Sequence, residues 1–136
     1  MGRDRQRSDA GSLAFPRSRL NHPRGRDAER MAERFLERQG LVRLQRNYRC
    51  RWGELDLVMR DRDTLVVVEV RSRAPGALCS AEESISAAKR RRIVLATRHF
   101  LARHPGLASS AVRFDLVAIS PGGDNELRWI EAAFNT

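Results

Sequence analysis

The sequence predicts an α/β chain: a central mixed five-stranded sheet flanked by helices, in the order α-β-β-β-α-β-β. Three observations carry this expectation. Two segments repeat apolar residues at helical spacing, one ahead of three strand-like segments and one behind them. A polar connection of hairpin length, Asp61 to Thr64, joins two of those strands, which therefore run antiparallel. No glycine-rich phosphate loop links a strand to a helix, which argues against a Rossmann unit.

Each element has its own signal. Residues 1–24 are rich in Arg, Ser, Gly and Asp and lack periodicity, so they are expected to be a disordered basic tail ahead of a domain at 25–136. Such a tail either adds phosphate affinity or has no role. From Asp27 to Gln39, Ala28, Met31, Ala32, Phe35 and Leu36 mark a helix, and Gly40 stops it. Leu41 to Tyr48 is a first strand. Gly53 to Arg60 is a second, with Leu55, Leu57 and Met59 alternating with Glu54, Asp56 and Val58. Leu65 to Arg71 is a third, apolar enough to be central.

After a loop, Ser80 and Glu83 match a capping box and predict a long helix to about His104. Its buried stripe would include Ile85, Ala88, Ile93, Ala96, Phe100 and Leu101. Pro105-Gly106 ends it. Ala111 to Ser120 is a fourth strand and Leu127 to Ala132 a fifth, separated by a turn at 121–125.

The composition narrows the function. The 136 residues carry 26 Lys and Arg against 17 Asp and Glu, a net charge of +9 that favours a polyanionic partner. Lys89 is the only lysine. Two cysteines, Cys50 and Cys79, fit neither a zinc site nor a disulfide scaffold. Without a secretory segment or a long apolar run, the expected location is the cytoplasm, with no membrane partner.

Glu69 interrupts the most apolar strand, Val66-Val67-Val68-Glu69-Val70. Burying an unpaired carboxylate is costly, so this one needs a cation or a set of donors. Strand alternation puts Val67, Glu69 and Arg71 on one face. With Asp61 and Thr64 closing the hairpin, Asp56 falls opposite Glu69, with Cβ atoms roughly 5 Å apart. Two carboxylates so close repel unless positive charge lies between them. Mg²⁺ or Mn²⁺ would supply it. Arg71 would do so as well, leaving a buried salt bridge with no chemistry. Both readings stand on spacing alone, beside a third in which the register differs and the two acids do not meet.

Asp56 followed by Glu69-Val70-Arg71 resembles the PD-(D/E)-x-K signature of restriction-endonuclease-like nucleases, with Leu55 in place of the proline and Arg71 in place of the lysine. A wider ordered pattern strengthens the match. Ala28-Glu29, Arg46-Asn47-Tyr48-Arg49, Gly53 to Val58, Val68 to Arg73, Lys89 and Arg113 to Val117 together resemble the YraN-like family of uncharacterised bacterial proteins. That family is similar in fold to Holliday-junction resolvases. The resemblance implies a restriction-endonuclease-like fold and a metal-dependent nuclease of DNA, including branched or structured DNA.

It also implies catalytic roles for Glu29, Asp56, Glu69 and Arg71, and Mg²⁺ or Mn²⁺ held by Asp56, Glu69 and the Val70 carbonyl. Contacts to nucleic acid fall to Arg49, Arg73, Lys89, Arg90 and Arg92, and a homodimer is expected by analogy with the resolvases. Arg71 can stabilise charge but cannot act as a base. This keeps an alternative open, a degenerate nuclease-fold module that binds nucleic acid without cleaving it. Lys89 either substitutes for the missing lysine or belongs to a phosphate-contacting or solvated helix face with Arg90, Arg91 and Arg92. Glu29 has its own second reading as a solvated charge.

Other residues carry weaker signals. Tyr48 and Trp52 either stack on bases or pack at a rim. His99 and His104 lack a partner acid in the sequence and suit solvated or capping roles. Arg113 and Asp115 share a strand face, as a structural ion pair or as part of a site.

Overall fold

The computed structural model describes residues 25–72, 85–120 and 126–135. The basic tail, the loop that holds Arg73 and the Ser80–Glu83 pattern, and the turn at 121–125 lie outside the described residues.

The helix α1 (Gly25–Arg38) buries Ala28, Met31, Ala32, Phe35 and Leu36 and exposes Arg26, Arg30, Arg34 and Arg38. Its end is a Schellman motif. Gly40 donates to the Glu37 carbonyl at 3.0 Å and Leu41 to that of Leu36 at 3.1 Å, with Gly40 at φ +100°. Leu36 and Leu41 join the same buried cluster, which fixes how the chain enters the sheet.

Three antiparallel strands follow: β1 (Val42–Cys50), β2 (Gly53–Asp61) and β3 (Thr64–Ser72). The β2–β3 ladder runs Asp61↔Thr64, Arg60↔Leu65, Met59↔Val66, Val58↔Val67 and Leu57↔Val68, the register expected from the hairpin. The crossover helix α2 (Ala87–Ala102) returns the chain to β4 (Ala111–Ser120), which is parallel to β3. A 3₁₀ turn at Pro105–Leu107 precedes β4, and β5 (Glu126–Phe134) pairs antiparallel with it. The sheet order is β1-β2-β3-β4-β5, so the expected α-β-β-β-α-β-β architecture is present. Among the described residues no helix is long and apolar enough to cross a membrane.

The core has two layers. On the α1 side, Leu57, Met59, Val66, Val68, Val117, Ile119, Leu127 and Trp129 pack against the helix. On the α2 side, Leu55, Val58, Leu65, Val67, Phe114 and Leu116 meet Ile93, Ala96 and Phe100.

Three local expectations need correction. Helix α2 starts at Ala87, because Ser86 is its cap and accepts the Lys89 N–H at 3.1 Å. A serine alone can cap, so the Glu three positions on that drew attention to Ser80 is not required. Ile85 is buried but precedes the helix, and Ala88 faces solvent. The regular alternation expected along β2 breaks at Asp56, since Leu55 belongs to the α2-side core and Leu57 to the α1-side core. Its neighbour in β1 explains the break. Asn47 lies in mid-strand at φ 47°, between the pairs Arg46↔Leu57 and Tyr48↔Leu55.

Candidate active site

The sheet end formed by the start of β2 and the close of β3 gathers most of the residues singled out by the sequence. Glu69 is 2% exposed, deep in β3. One ladder step beyond Leu57↔Val68 stands Asp56, half-buried, whose Oδ2 accepts the Val70 N–H at 2.9 Å. That bond fixes the Asp56 carboxylate against the backbone of the strand that carries Glu69.

Lys89 comes from α2. Its Nζ lies 3.6 Å from Glu69 Oε1, and the side chain is half-buried. Between the two readings of Lys89, the helix places the only lysine of the chain against the acids. Glu69 Oε2 is buried and has no hydrogen-bond partner among the described residues. Arg71 eases ionisation of Glu69 through its charge, and its Nε is likewise buried without a partner among those residues.

The electrostatics follow from this crowding. Burial first, then the charge of Asp56, pushes the Glu69 carboxyl up to about 8, against the pull of Lys89 and Arg71. Asp56 is raised to about 6, mainly by burial, with the charges of Glu29 and Glu54 adding to it. The Val70 N–H and Lys89 oppose that rise. The site is short of positive charge as it stands.

Glu29 reaches the site from α1. Its Oε1 accepts a hydrogen bond from Asn47 Nδ2 at 2.7 Å, so it is held rather than freely solvated. The left-handed backbone at Asn47 turns that amide towards the helix. Glu54 is a further acid that sequence reasoning passed over. It pairs with exposed Arg49 at 3.6 Å and contributes to the shift of Asp56. Its signal in the sequence was its place two residues before Asp56, which regular alternation puts on the same strand face.

Among the described residues no group of three or more His, Cys, Asp or Glu side chains converges as a ready metal cage. The acids at hand are the Asp56–Glu69 pair, with the Val70 carbonyl on the same strand. A buried carboxylate pair with an orphaned oxygen suits a hard divalent cation, which completes its shell with backbone carbonyls and water.

The remaining candidates fall elsewhere. Arg92 is exposed on α2, whereas the Arg90 guanidinium lies 5.4 Å over the Phe134 ring. Arg113 and Asp115 form a two-point ion pair at 2.9 and 3.0 Å. Asp115 also accepts Trp129 Nε1 at 2.9 Å and the Ala132 N–H at 3.0 Å. Trp129 packs in the α1-side core, so this knot lies on the sheet face away from Lys89. Tyr48 Oη lies 2.6 Å from His99 Nδ1, and His104 Nδ1 lies 2.8 Å from the Phe100 carbonyl. These are packing and end-of-helix roles.

The residues assembled here fall within a stretch that matches known proteins. The model for uncharacterised protein family UPF0102 matches residues 28–119, which include Glu29, Asp56, Glu69, Arg71 and Lys89. A UPF0102 protein of Nitrosomonas europaea is 48% identical over 112 residues, covering 82% of this chain and 93% of the relative. One from Methylobacillus flagellatus is 48% identical over 111 residues, covering 82% and 96%. Another, from Ectopseudomonas mendocina, is 49% identical over 111 residues, covering 82% and 93%. With the ordered sequence pattern, the helix and strand order and these matches agreeing, the chain belongs to uncharacterised protein family UPF0102, the YraN-like family.

Proposed function

We propose that the protein is a cytoplasmic, metal-dependent nuclease that hydrolyses phosphodiester bonds in DNA, branched or structured DNA included. The observation that carries this reading is the Asp56–Glu69 pair, with Glu69 Oε2 buried beside a lysine and without a hydrogen bond among the described residues. Asp56, Glu69 and the Val70 carbonyl would hold Mg²⁺ or Mn²⁺. When bound, the cation supplies Lewis-acid stabilisation of charge on the phosphate and makes water a better nucleophile.

The chain's own groups do the rest. Val70 N–H orients Asp56. Lys89, rather than Arg71, takes the place of the signature lysine and would offer its ammonium to a phosphate oxygen. Arg71 adds fixed positive charge that favours ionised Glu69. The net charge of +9 draws the polyanion in.

Cleavage of duplex, junction and single-stranded DNA in Mg²⁺ and Mn²⁺ tests this. Asp56→Ala and Glu69→Ala should each abolish cutting. Lys89→Ala should lower it by a factor on the order of 10², while Arg71→Lys should leave it within a few-fold. Cutting that survives both acid substitutions would remove this site from consideration.

A second reading, binding without cleavage, is favoured by Arg71 at the lysine position. It predicts salt-sensitive binding with no cutting in any metal. Log K would fall by roughly 0.9 per phosphate contacted for each tenfold rise in salt.

A further inference from the structure

Several groups that this chemistry does not use collect at the β1–β2 turn. Trp52 is 37% exposed and, with Val42, makes up the large apolar side chains presented to solvent among the described residues. The Arg51 guanidinium lies over its ring, 4.8 Å from the centroid. Arg49, three residues before Trp52, has a side chain that is 70% exposed.

Helix α2 approaches this turn. Gly53 sits at φ +139°, and a Cβ built on it would stand 3.9 Å from Arg92 Cβ. Lys89 and Arg92 are three residues apart, so they lie on neighbouring positions of the helix, about 4.5 Å along its axis. One end of this short basic row meets Glu69, at 3.6 Å from Lys89. The other meets the turn that carries Trp52.

We infer that the Arg51–Trp52 turn is a stacking platform for an unpaired nucleotide, so that the substrate carries a single-stranded segment beside the phosphate at the acid pair. This rests on the nucleic-acid reading above. An indole offers a broad π-face and a single N–H donor, which suits stacking better than reading base edges. Bases inside a duplex have both faces covered by their neighbours, and an unpaired base does not. Arg51 over the ring, with Arg92 beside Gly53 and exposed Arg49 three residues before Trp52, supplies the kind of charge that backbone phosphates require. Gly53, which follows Trp52 and opens β2, precedes Asp56 by three residues, about 10 Å along the strand. That span equals about three nucleotides at stacked spacing.

Intrinsic fluorescence gives the test. Trp52 and Trp129 are the only tryptophans, and Trp129 is buried, so quenching by a ligand reports on Trp52. The full chain is titrated with a short single-stranded oligonucleotide and with the blunt duplex of the same sequence, with and without Mg²⁺. The single strand should quench emission and the duplex should not. Trp52→Ala should weaken single-strand binding about tenfold and leave duplex binding unchanged, while the surviving Trp129 emission reports that the core is folded. Equal losses on both ligands, or none on the single strand, would overturn the platform while leaving nucleic-acid binding intact. Failure to bind either ligand would sink the platform and the nucleic-acid reading together. An emission shift with anionic phospholipid vesicles, and none with oligonucleotide, would assign the turn to a membrane surface instead.

Discussion

Asp56 and Glu69 are held above the ordinary carboxylate range, at about 6 and about 8. A carboxyl raised in the folded state keeps protons that the unfolded chain has already released, so stability falls as pH rises. The loss begins in the ordinary carboxylate range and is complete above about pH 8, where both groups are charged. Without divalent cation, the thermal midpoint should therefore decline between about pH 5 and about pH 8. Glu69→Gln removes the buried charge in nearly the same shape. It should raise the midpoint near pH 8 by roughly 5 °C for each kcal/mol recovered, and added Mg²⁺ should narrow its advantage over the unaltered chain. Scanning calorimetry at the two pH values decides this, and a lower midpoint for the Gln variant at pH 8 would refute it. The acid pair was legible in the sequence because the hairpin fixes its register and an apolar strand makes Glu69 conspicuous. The contact of Lys89 was not, because helix spacing gives the face of α2 but not its rotation over the sheet. Asn47 was missed because Asn only tolerates the left-handed region, and the strand pattern around it calls for extended backbone.

Elements stop and start here on single residues, and the site inherits their positions. Gly40 ends α1 at φ +100° with open space around it, nothing lying within 4 Å of an added Cβ. The cost of Gly40→Ala is therefore backbone strain alone, about 1 kcal/mol, and Gly40→Asn should cost less because Asn tolerates that conformation. Chemical denaturation of both variants checks the order, and an equal loss in the two would point to packing instead. The stop at Gly40 was readable because glycine after a helical period has few other uses. The start of α2 was not, since the Ser80–Glu83 pattern drew the expected start ahead of Ser86, which caps without a Glu three positions on. Ser86 holds the very N–H of Lys89. Ser86→Ala should cost about 1 kcal/mol of stability and also reduce cleavage, because Lys89 sits in the turn that the cap secures. A loss of stability with unchanged cleavage would separate the cap from the site.

Across the whole molecule, buried acids divide into two kinds. Glu33, Asp115 and Glu69 are the buried carboxylates among the described residues. Glu33 is met by Arg46 at 2.7 Å and Arg43 at 3.0 Å, tying α1 to β1. Asp115 accepts Arg113, Trp129 and the Ala132 N–H, tying β4 to β5 where their register shifts. Glu69 has one lysine at 3.6 Å and an oxygen with no hydrogen bond among the described residues. The fold thus gives complete donor sets to Glu33 and Asp115 and leaves Glu69 under-satisfied among the described residues, a pattern expected where a ligand is to complete the set. The two kinds should respond to substitution with opposite signs. Asp115→Ala removes the acceptor shared by Arg113, Trp129 Nε1 and the Ala132 N–H, while half-buried Arg113 keeps Asp61 at 3.3 Å, and should cost about 1–3 kcal/mol, with any surviving folded protein still cutting DNA. Glu69→Gln should stabilise the chain near pH 8 and abolish cutting. Denaturation curves and cleavage rates measured together on these two variants test the division. If Glu69→Gln destabilised the protein as Asp115→Ala does, Glu69 would be a structural acid, and the proposed metal site would lose its foundation.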